Sequence, residues 1–317
     1  MMKLNRRETA TLLSARDHFA IVTHRRPDGD TLGSAALLCL GLRQLGKCAH
    51  VLENPETTEK YLPLMTGLIK PAAEEGDVIV AVDVASTNML GDHFAPLAEQ
   101  ITLRIDHHGT AYSFTDAELV EPESAACGEV VYGVLQEMGV QLDLPMATAL
   151  YTAVSTDTGC FRYANTTANT LRVAADCVQA GADTFAMNQA YFETNSLGRL
   201  RLQGWLVENA LFLQEDRIAI CALPLEKERE LGLTEDDLEN ISGFPRTIAG
   251  VKIAATLRQE PSGLVKLSVR AVPGCDAAEI CAKFGGGGHK GAAGASMQLS
   301  MDEAVKAVME AIPVLDN

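Results

Sequence analysis

Aromatic residues are scarce in this chain: 5% of 317 residues, with a single Trp. That rules out an extended stacking platform for long single strands. Positive charge is short as well. With 26 Lys+Arg against 42 Asp+Glu the formal charge is −16, so most of the surface repels a long polyanion. Long duplex nucleic acid is excluded on that ground, and any nucleic-acid partner must be short or meet a local basic patch. No run reaches the roughly 18 consecutive apolar residues of a membrane span, and MMKLNRRETA carries charge where a secretory leader carries its apolar core. A cytoplasmic protein without membrane contact is expected. The eight cysteines, Cys39 to Cys281, show no C-x-x-C and no Cys/His zinc spacing. They read as small core hydrophobes rather than a disulfide framework or a zinc site. Tandem repeats and low-complexity tails are absent.

What is present is enough apolar material, 47% of the chain, for two cores at a length that one core seldom organises. From 18 to about 160, short β-branched runs alternate with longer helical patterns, which predicts an α/β domain with a mainly parallel sheet flanked by helices. The runs are HFAIVTH (18–24), CAHVLEN (48–54), DVIVAVDVAS (77–86) and ITLRIDHH (101–108). TLGSAALLCLGLRQLG (31–46) is apolar almost all round and reads as a buried helix. Further helices are expected at 124–139, 144–156, 167–180 and 183–193. The catalytic domain is taken as 1–194, a connecting helix as 195–214, and a smaller α+β domain as 215–317. That second domain should contain a hairpin, 251–260 and 264–272, turning at Pro261-Ser262-Gly263. Then follow a helix at 276–284, a glycine run, a strand at 294–300 and a helix at 302–312.

Polar residues gather where the strands end. The first strand runs into His24-Arg25-Arg26-Pro27-Asp28-Gly29-Asp30, at the carboxyl end where an open α/β sheet places its ligands. Asp28 and Asp30, two apart in an extended turn, point to opposite sides and suit two different cations; the plainer reading is a polar turn whose Asp caps a helix from Thr31. Asp83 follows a purely apolar run, where an unpaired carboxylate is costly. ITLRI leads directly into Asp106-His107-His108, and imidazole beside carboxylate suits a borderline divalent metal. Asp157 closes an apolar helical segment just before Gly159; alone, it reads as a helix-terminating turn. Three consecutive strand ends bearing Asp or His are hard to explain as surface polarity.

In order and spacing, His24-x-x-Pro27-Asp28-Gly29-Asp30, Asp83, Asp106-His107-His108 and Asp157-Thr158-Gly159 resemble the four signature motifs of the DHH phosphoesterases. The glycine-rich Gly286-Gly287-Gly288-His289-Lys290-Gly291-Ala292-Ala293-Gly294 is similar to the hallmark of the DHH-associated substrate domain, and Phe161-Arg162-Tyr163-x-Asn165-Thr166 to the bacterial nanoRNase/pAp-phosphatase branch. No metal-motif position departs from the family pattern. The resemblance implies two divalent cations, manganese foremost with magnesium or cobalt as alternatives. One is held by His24, Asp28 and Asp83, the other by Asp30, Asp83, His107 and Asp157, with Asp83 bridging. It implies that Asp106 orients a ligand from behind and that His108 contacts phosphate. Such a pair of cations activates a water for in-line displacement, so no protein nucleophile is needed.

The implied substrate contacts are Arg162, Arg258, Arg270, Gly286, Gly287, Gly288, His289 and Lys290. Arg258 and Arg270 are expected near matching ends of the hairpin, gripping the substrate's far nucleotide; the plainer reading makes them solvated edge-strand cations. Residues 241–300 hold seven basic side chains (Arg246, Lys252, Arg258, Lys266, Arg270, Lys283, Lys290) against three acidic (Glu260, Asp276, Glu279), a net +4 that leaves −20 for the rest. That is the local basic patch the global charge calls for. The expected activity is hydrolysis of short single-stranded oligoribonucleotides to mononucleotides, with removal of the 3′-phosphate of pAp. A cyclic- or linear-dinucleotide phosphodiesterase is the alternative. An inorganic pyrophosphatase should lack the glycine-rich ending, and a regulator with dead chemistry should lack a metal ligand. A homodimer is compatible with all of these readings.

Overall fold

The structure, a computed structural model, describes residues 2–109, 113–238 and 240–315. It divides into two compact units, Met1–Thr194 and Asn195–Asn317. In the first unit the strands are β1 (Met2–Lys3), β2 (His18–Val22), β3 (Cys48–Leu52), β4 (Ile69–Lys70), β5 (Val78–Val82), β6 (Ile101–Asp106) and β7 (Ala117–Val120). They form one seven-stranded sheet in the order β1-β7-β6-β5-β2-β3-β4, and every pair is parallel. Burial on both faces is why the longer strands read as continuous apolar runs. β1, β4 and β7 are too short, or too mixed in composition, to stand out in the sequence.

The helices of this unit are α1 (Arg6–Ser14), α2 (Gly29–Gln44), α3 (Gly91–Phe94), α4 (Cys127–Glu137), α5 (Leu144–Asp157), α6 (Ala168–Gln179) and α7 (Thr184–Asn188). Side chains alternate across the strands. Phe19, Ile21, Val80, Val82, Leu103 and Ile105 bury with α2, α4 and α5 on one face, whereas Ala20, Val22, Ile79 and Ala81 bury with Leu90 and Phe94 on the other. α2 packs against α4, α5 and β3 and is buried over most of its circumference. The chain moves outward from β2 to β3 and β4, then returns to lay β5 on the opposite side of β2. The β2/β5 boundary is thus a topological switch point, the place where open α/β sheets hold their ligands.

The second unit comprises α8 (Leu197–Glu208), β8 (Leu211–Leu213), β9 (Ile218–Leu223), α9 (Leu225–Glu230), α10 (Glu235–Leu238), β10 (Ile253–Gln259), β11 (Val265–Ala271), α11 (Ala277–Ala282), β12 (Gly287–His289), β13 (Ala292–Met297) and α12 (Met301–Ala311). Its mixed six-stranded sheet runs β12-β13-β11-β10-β9-β8. α8 is not a bare connection: Leu202 and Leu206 bury against Cys221, Leu223, Leu238 and Ile241. The opposite face carries Ile253, Leu257, Leu267 and Val269 beneath Ile280, Ala304 and Val308 of α11 and α12. Among the described residues no helix is long and apolar enough to cross a membrane. Five cysteines are buried as expected, but Cys48 is exposed, and all eight are free thiols.

Candidate metal centre

The strands end in register, with Val22 opposite Ala81 and Val82 opposite Ile105, so the residues just beyond them meet at the switch point. The turn after β2 is pinned by Asn54, whose amide donates to Thr23 Oγ1 (3.0 Å) and to the His24 carbonyl (2.9 Å). His24 Nδ1 lies 2.8 Å from the carbonyl of Arg25. A carbonyl only accepts, so Nδ1 carries the proton and Nε2 presents its lone pair. That Nε2 faces Asp28 Oδ1 at 3.6 Å and Asp83 Oδ2 at 3.5 Å. Asp28 caps α2, accepting from the amides of Asp30 and Thr31. Helix therefore begins at Gly29, two residues earlier than expected, and the extended turn predicted for Asp28 and Asp30 is replaced by a cap and a first turn. Asp30, inside that turn, is buried. Its Oδ1 accepts from Ser34 Oγ and Gly128 N, and its Oδ2 from Cys127 N at 2.7 Å.

Asp83 sits one residue past β5 in the left-handed region, φ +59°, where a non-glycine residue is uncommon and Asp is among the better tolerated. Its amide still donates to Ile105 O (2.9 Å), so the chain turns at once and aims the carboxylate across the sheet end. Oδ2 faces His24 and Oδ1 faces His107 Nε2 at 3.5 Å. His107 repeats the arrangement of His24: Nδ1 is held by a backbone carbonyl, Ser124 O at 3.1 Å. Its Nε2 meets Asp30 Oδ2 at 3.6 Å and Asp157 Oδ2 at 3.8 Å.

Asp106 was expected to orient a ligand. Its carboxylate instead accepts from His108 Nδ1 at 2.7 Å, and reaches His107 only through the backbone amide at 2.8 Å. The His107 ring takes its orientation from Ser124. Asp106 is supported from behind by Arg104, a fully buried guanidinium bonded to Glu118 (2.7 Å) and to the carbonyl of Ala85 (3.1 Å), with Asp106 Oδ2 at 3.9 Å. The signal for this pair in the sequence is a lone Arg inside ITLRI and a lone Glu in AELV, neither of them a metal-ligand pattern. Ser34 and the amides of Cys127 and Gly128 were likewise invisible until the fold placed them on Asp30.

All six expected ligands are brought together. His24, Asp28 and Asp83 offer donor atoms within 4.8 Å of one another, as do Asp30, His107 and Asp157. Donors about 2.1 Å from a common ion lie roughly 3.0–3.5 Å apart, close to the 3.5–3.8 Å found here. Asp83 Oδ1 is buried without a hydrogen-bond partner among the described residues, a cost that a cation would remove. Burial, together with the charges of Asp83, Asp157 and Asp28, pushes the Asp30 carboxyl well above the usual range. Burial chiefly raises Asp83 as well. Asp157 is pushed up to about 7 by burial and by Asp83 and Asp28, against the pull of His107 and His108. Burial works against a charge on His24, but Asp28 and Asp83 outweigh it and raise that imidazole. The upward shifts of the carboxyls report crowded, buried acids in need of positive charge, so the residues fit divalent cations.

Of the expected substrate contacts, Arg162 lies on the exposed turn after α5, its Nε donating to Gly159 O. The glycine run forms β12, an exposed strand at the sheet edge paired with β13. A Cβ on Gly286 would lie 2.2 Å from Gly294 O, and Gly288 has φ +145°, so the hairpin admits no side chains there. Arg258 departs from expectation. It pairs bidentately with Glu228 (2.9 and 3.0 Å) and with Glu235 (2.9 Å). Nor do Arg258 and Arg270 share an end of the hairpin: Arg258 is opposite Lys266, and Arg270 opposite Ala254. Neither strand is an edge strand, since β10 and β11 are central. The basic window is also weaker than its count, because Lys266 pairs with Glu260 at 2.5 Å.

Residues 18–154 match the DHH family, N-terminal domain, and residues 216–313 match the DHHA1 domain. The chain is 33% identical over 296 residues, 92% of its length and 88% of the relative's, to the bifunctional oligoribonuclease and PAP phosphatase NrnA of Thermus thermophilus. It is 26% identical to the protein of the same description from Bacillus subtilis, with 94% of both chains covered. Among solved structures, an exopolyphosphatase-related protein from Bacteroides fragilis superposes with a TM-score of 0.86 at 25% identity, covering 96% of this chain and 95% of the other. Matched across both of its units, and with the four motifs at 24–30, 83, 106–108 and 157 gathered at the end of the first unit's sheet, the chain belongs to the DHH family and carries a DHHA1 domain at its C-terminal side.

Proposed function

We propose that this chain is a phosphoesterase, dependent on two divalent cations, that hydrolyses short oligoribonucleotides to mononucleotides and pAp to AMP. The relatives described as oligoribonuclease and PAP phosphatase, aligned over nearly their whole length, support the substrate class. The observation that carries the chemistry is Asp83, one carboxylate with an oxygen turned to each of two imidazoles whose Nδ1 atoms are tied to backbone carbonyls. His24, Asp28 and Asp83 would hold one cation; Asp30, Asp83, His107 and Asp157 the other. When bound, such a pair supplies Lewis-acid activation of a water and neutralises the phosphoryl oxygens. Manganese suits this mix of imidazole and carboxylate.

The remaining roles fall to side chains. Asp106 accepts from His108 Nδ1, leaving Nε2 outside that hydrogen bond, and the imidazole is raised to about 9 by that bond first, against burial, with Asp83 adding to it. At neutral pH it therefore holds a proton that can stabilise phosphoryl charge or pass to the leaving oxygen. Arg162, five residues after Asp157 in the chain, is the proposed phosphate contact in this unit. In the second unit the exposed strand Gly287–His289, Lys290 and Arg270 are the proposed nucleotide contacts, together with an open depression of about 470 Å³ between Lys266, Ser268, Gly286 and Ser296. Arg258 is committed to its glutamates and is set aside. Eight free thiols fit the reducing cytoplasm.

A substrate panel with manganese tests the reading: di- to pentaribonucleotides, pAp, cyclic dinucleotides and pyrophosphate. Turnover should be fastest on diribonucleotides, with pAp also cleaved. Turnover of pyrophosphate alone would sink the nucleotide reading, and cyclic dinucleotides as the preferred substrate would replace it.

A further inference from the structure

The segment after Asp157 is strained and tied down to an extent that holding one carboxylate does not require. Gly159, Cys160 and Phe161 have φ of +56°, +58° and +61°, three successive left-handed residues. Two of them carry Cβ atoms and cost of order 1 kcal/mol or more each. The turn is locked from several sides. Phe161 N donates to Thr158 Oγ1 (3.0 Å), and the Phe161 ring lies 5.8 Å from that of Tyr151. Asn165 bridges the carbonyls of Ala125 and Asp157, both at 3.1 Å. Tyr163 N donates to Thr158 O (3.0 Å).

The result is the display of one ring. A Cβ on Gly159 would fall 2.3 Å from Tyr163 Cζ and 2.6 Å from both Cε atoms, so one side of the phenol lies directly on the glycine backbone. Tyr163 nevertheless remains 53% exposed. An aromatic ring backed by backbone and open to solvent, packed on the residue two after the carboxylate proposed as a metal ligand, is unusual in a chain with so few aromatics. We propose that the open side of Tyr163 stacks on a nucleobase of the nucleotide whose phosphate lies at the metal centre, with Arg162 beside it to meet the phosphate. This rests on the proposed function, which supplies the nucleotide; it adds the side chain that distinguishes a nucleotide from a bare sugar phosphate.

The test measures binding of AMP and of ribose 5-phosphate to the full chain loaded with manganese, by calorimetry, alongside turnover of ApA. The wild type should bind AMP at least fivefold more tightly than ribose 5-phosphate. Tyr163→Ala should weaken AMP about tenfold, equivalent to about 1.4 kcal/mol and within the range of one base-aromatic stack, while ribose 5-phosphate changes less than twofold. Tyr163→Phe should keep the discrimination. Should the alanine variant fail to fold, Tyr163→Leu keeps the bulk without the ring and must show the same loss. Discrimination that survives in the Ala or Leu variant, equal weakening of both ligands, or a wild type that does not discriminate overturns the proposal. Failure of the wild type to cleave ApA overturns the phosphoesterase reading instead, and the binding ratio still decides the role of Tyr163.

Discussion

Asp106 Oδ1 lies 2.7 Å from His108 Nδ1, and the same oxygen accepts from the amides of His107 and His108 at 2.8 and 3.2 Å. One oxygen thus sets both the ring and the backbone of the second histidine. Asp106 itself is held below the usual carboxylate range: burial acts to raise it, but the hydrogen bond and charge of His108 prevail. The pair is built to keep His108 cationic, with Nδ1 taken up by the carboxylate.

His108→Asn is therefore expected to lower kcat by about 10²–10⁴-fold, the range of a lost proton donor, with manganese content unchanged. Asp106→Asn should cost less, about 10–100-fold, because the ring is misoriented rather than absent. Steady-state kinetics on ApA, with metal analysis of each variant, check this. A loss of manganese in His108→Asn would make that residue a ligand.

Metal removal should make the fold sensitive to pH. Asp30, Asp83, Asp157, His24 and His108 all have folded pKa values raised above their ordinary ones. A raised group binds more protons folded than unfolded, so stability is lost as pH rises through its folded value. For the carboxyls the loss begins near 4 and, for Asp157, runs to about 7. Asp106, lowered, acts in the opposite sense only below about pH 4. The Tm gap between manganese-loaded and chelated protein is expected to widen steadily from pH 5.5 to 8, because metal and proton compete for the same donors. Thermal scans in EDTA and in manganese decide it; a gap independent of pH would mean that these groups do not hold the ion.

Beneath the centre, Arg104 and Glu118 form a buried pair at 2.7 Å, 1% and 6% exposed at the side chain. Removing one partner leaves an uncompensated buried charge, so Arg104→Met should cost about 3–5 kcal/mol. The double change Arg104→Met/Glu118→Leu should recover much of that loss, although Asp106 and the Ala85 carbonyl still lose a neighbour. Urea denaturation of the two single variants and the double variant closes the cycle; additive losses would show that the pair is not coupled.

Much of the architecture was readable because a parallel sheet buried on both faces writes itself as apolar runs, against which a terminal Asp or His stands out. The motifs at 24–30, 83, 106–108 and 157 were found that way, and they meet because neighbouring strands end in register. What a sequence pattern does not carry is direction. Nothing in VIVAVDVAS announces that Asp83 adopts φ +59° and turns its two oxygens to different imidazoles. The exchange of partners between Asp106 and Ser124 was hidden for the same reason, since a backbone carbonyl that orients a histidine leaves no mark on residue identity. The hairpin was different. Its turn at Pro261-Ser262-Gly263 was recognised, and the pairing of Glu260 N with Leu264 O (2.8 Å) fixes Arg258 opposite Lys266. That register alone separates Arg258 from Arg270.

Separated by four ladder positions, these two arginines should behave differently when removed. Arg258 makes a bidentate pair with Glu228 and a further bond to Glu235, with its side chain 22% exposed. Charge-assisted bonds of this kind contribute about 1.5–3 kcal/mol when largely buried, and partial exposure lowers that figure. Arg258→Ala is expected to lower the stability of the C-terminal unit by about 1–2 kcal/mol while leaving the KM for ApA within about twofold. Arg270→Ala should instead act on binding, with a KM for ApA raised much more than that for a non-nucleotide phosphoester. Thermal melts and kinetics on both substrates separate the two. A rise in KM confined to the nucleotide in Arg258→Ala would show that the glutamates release this arginine when substrate binds, and would return it to the substrate contacts that the resemblance implies.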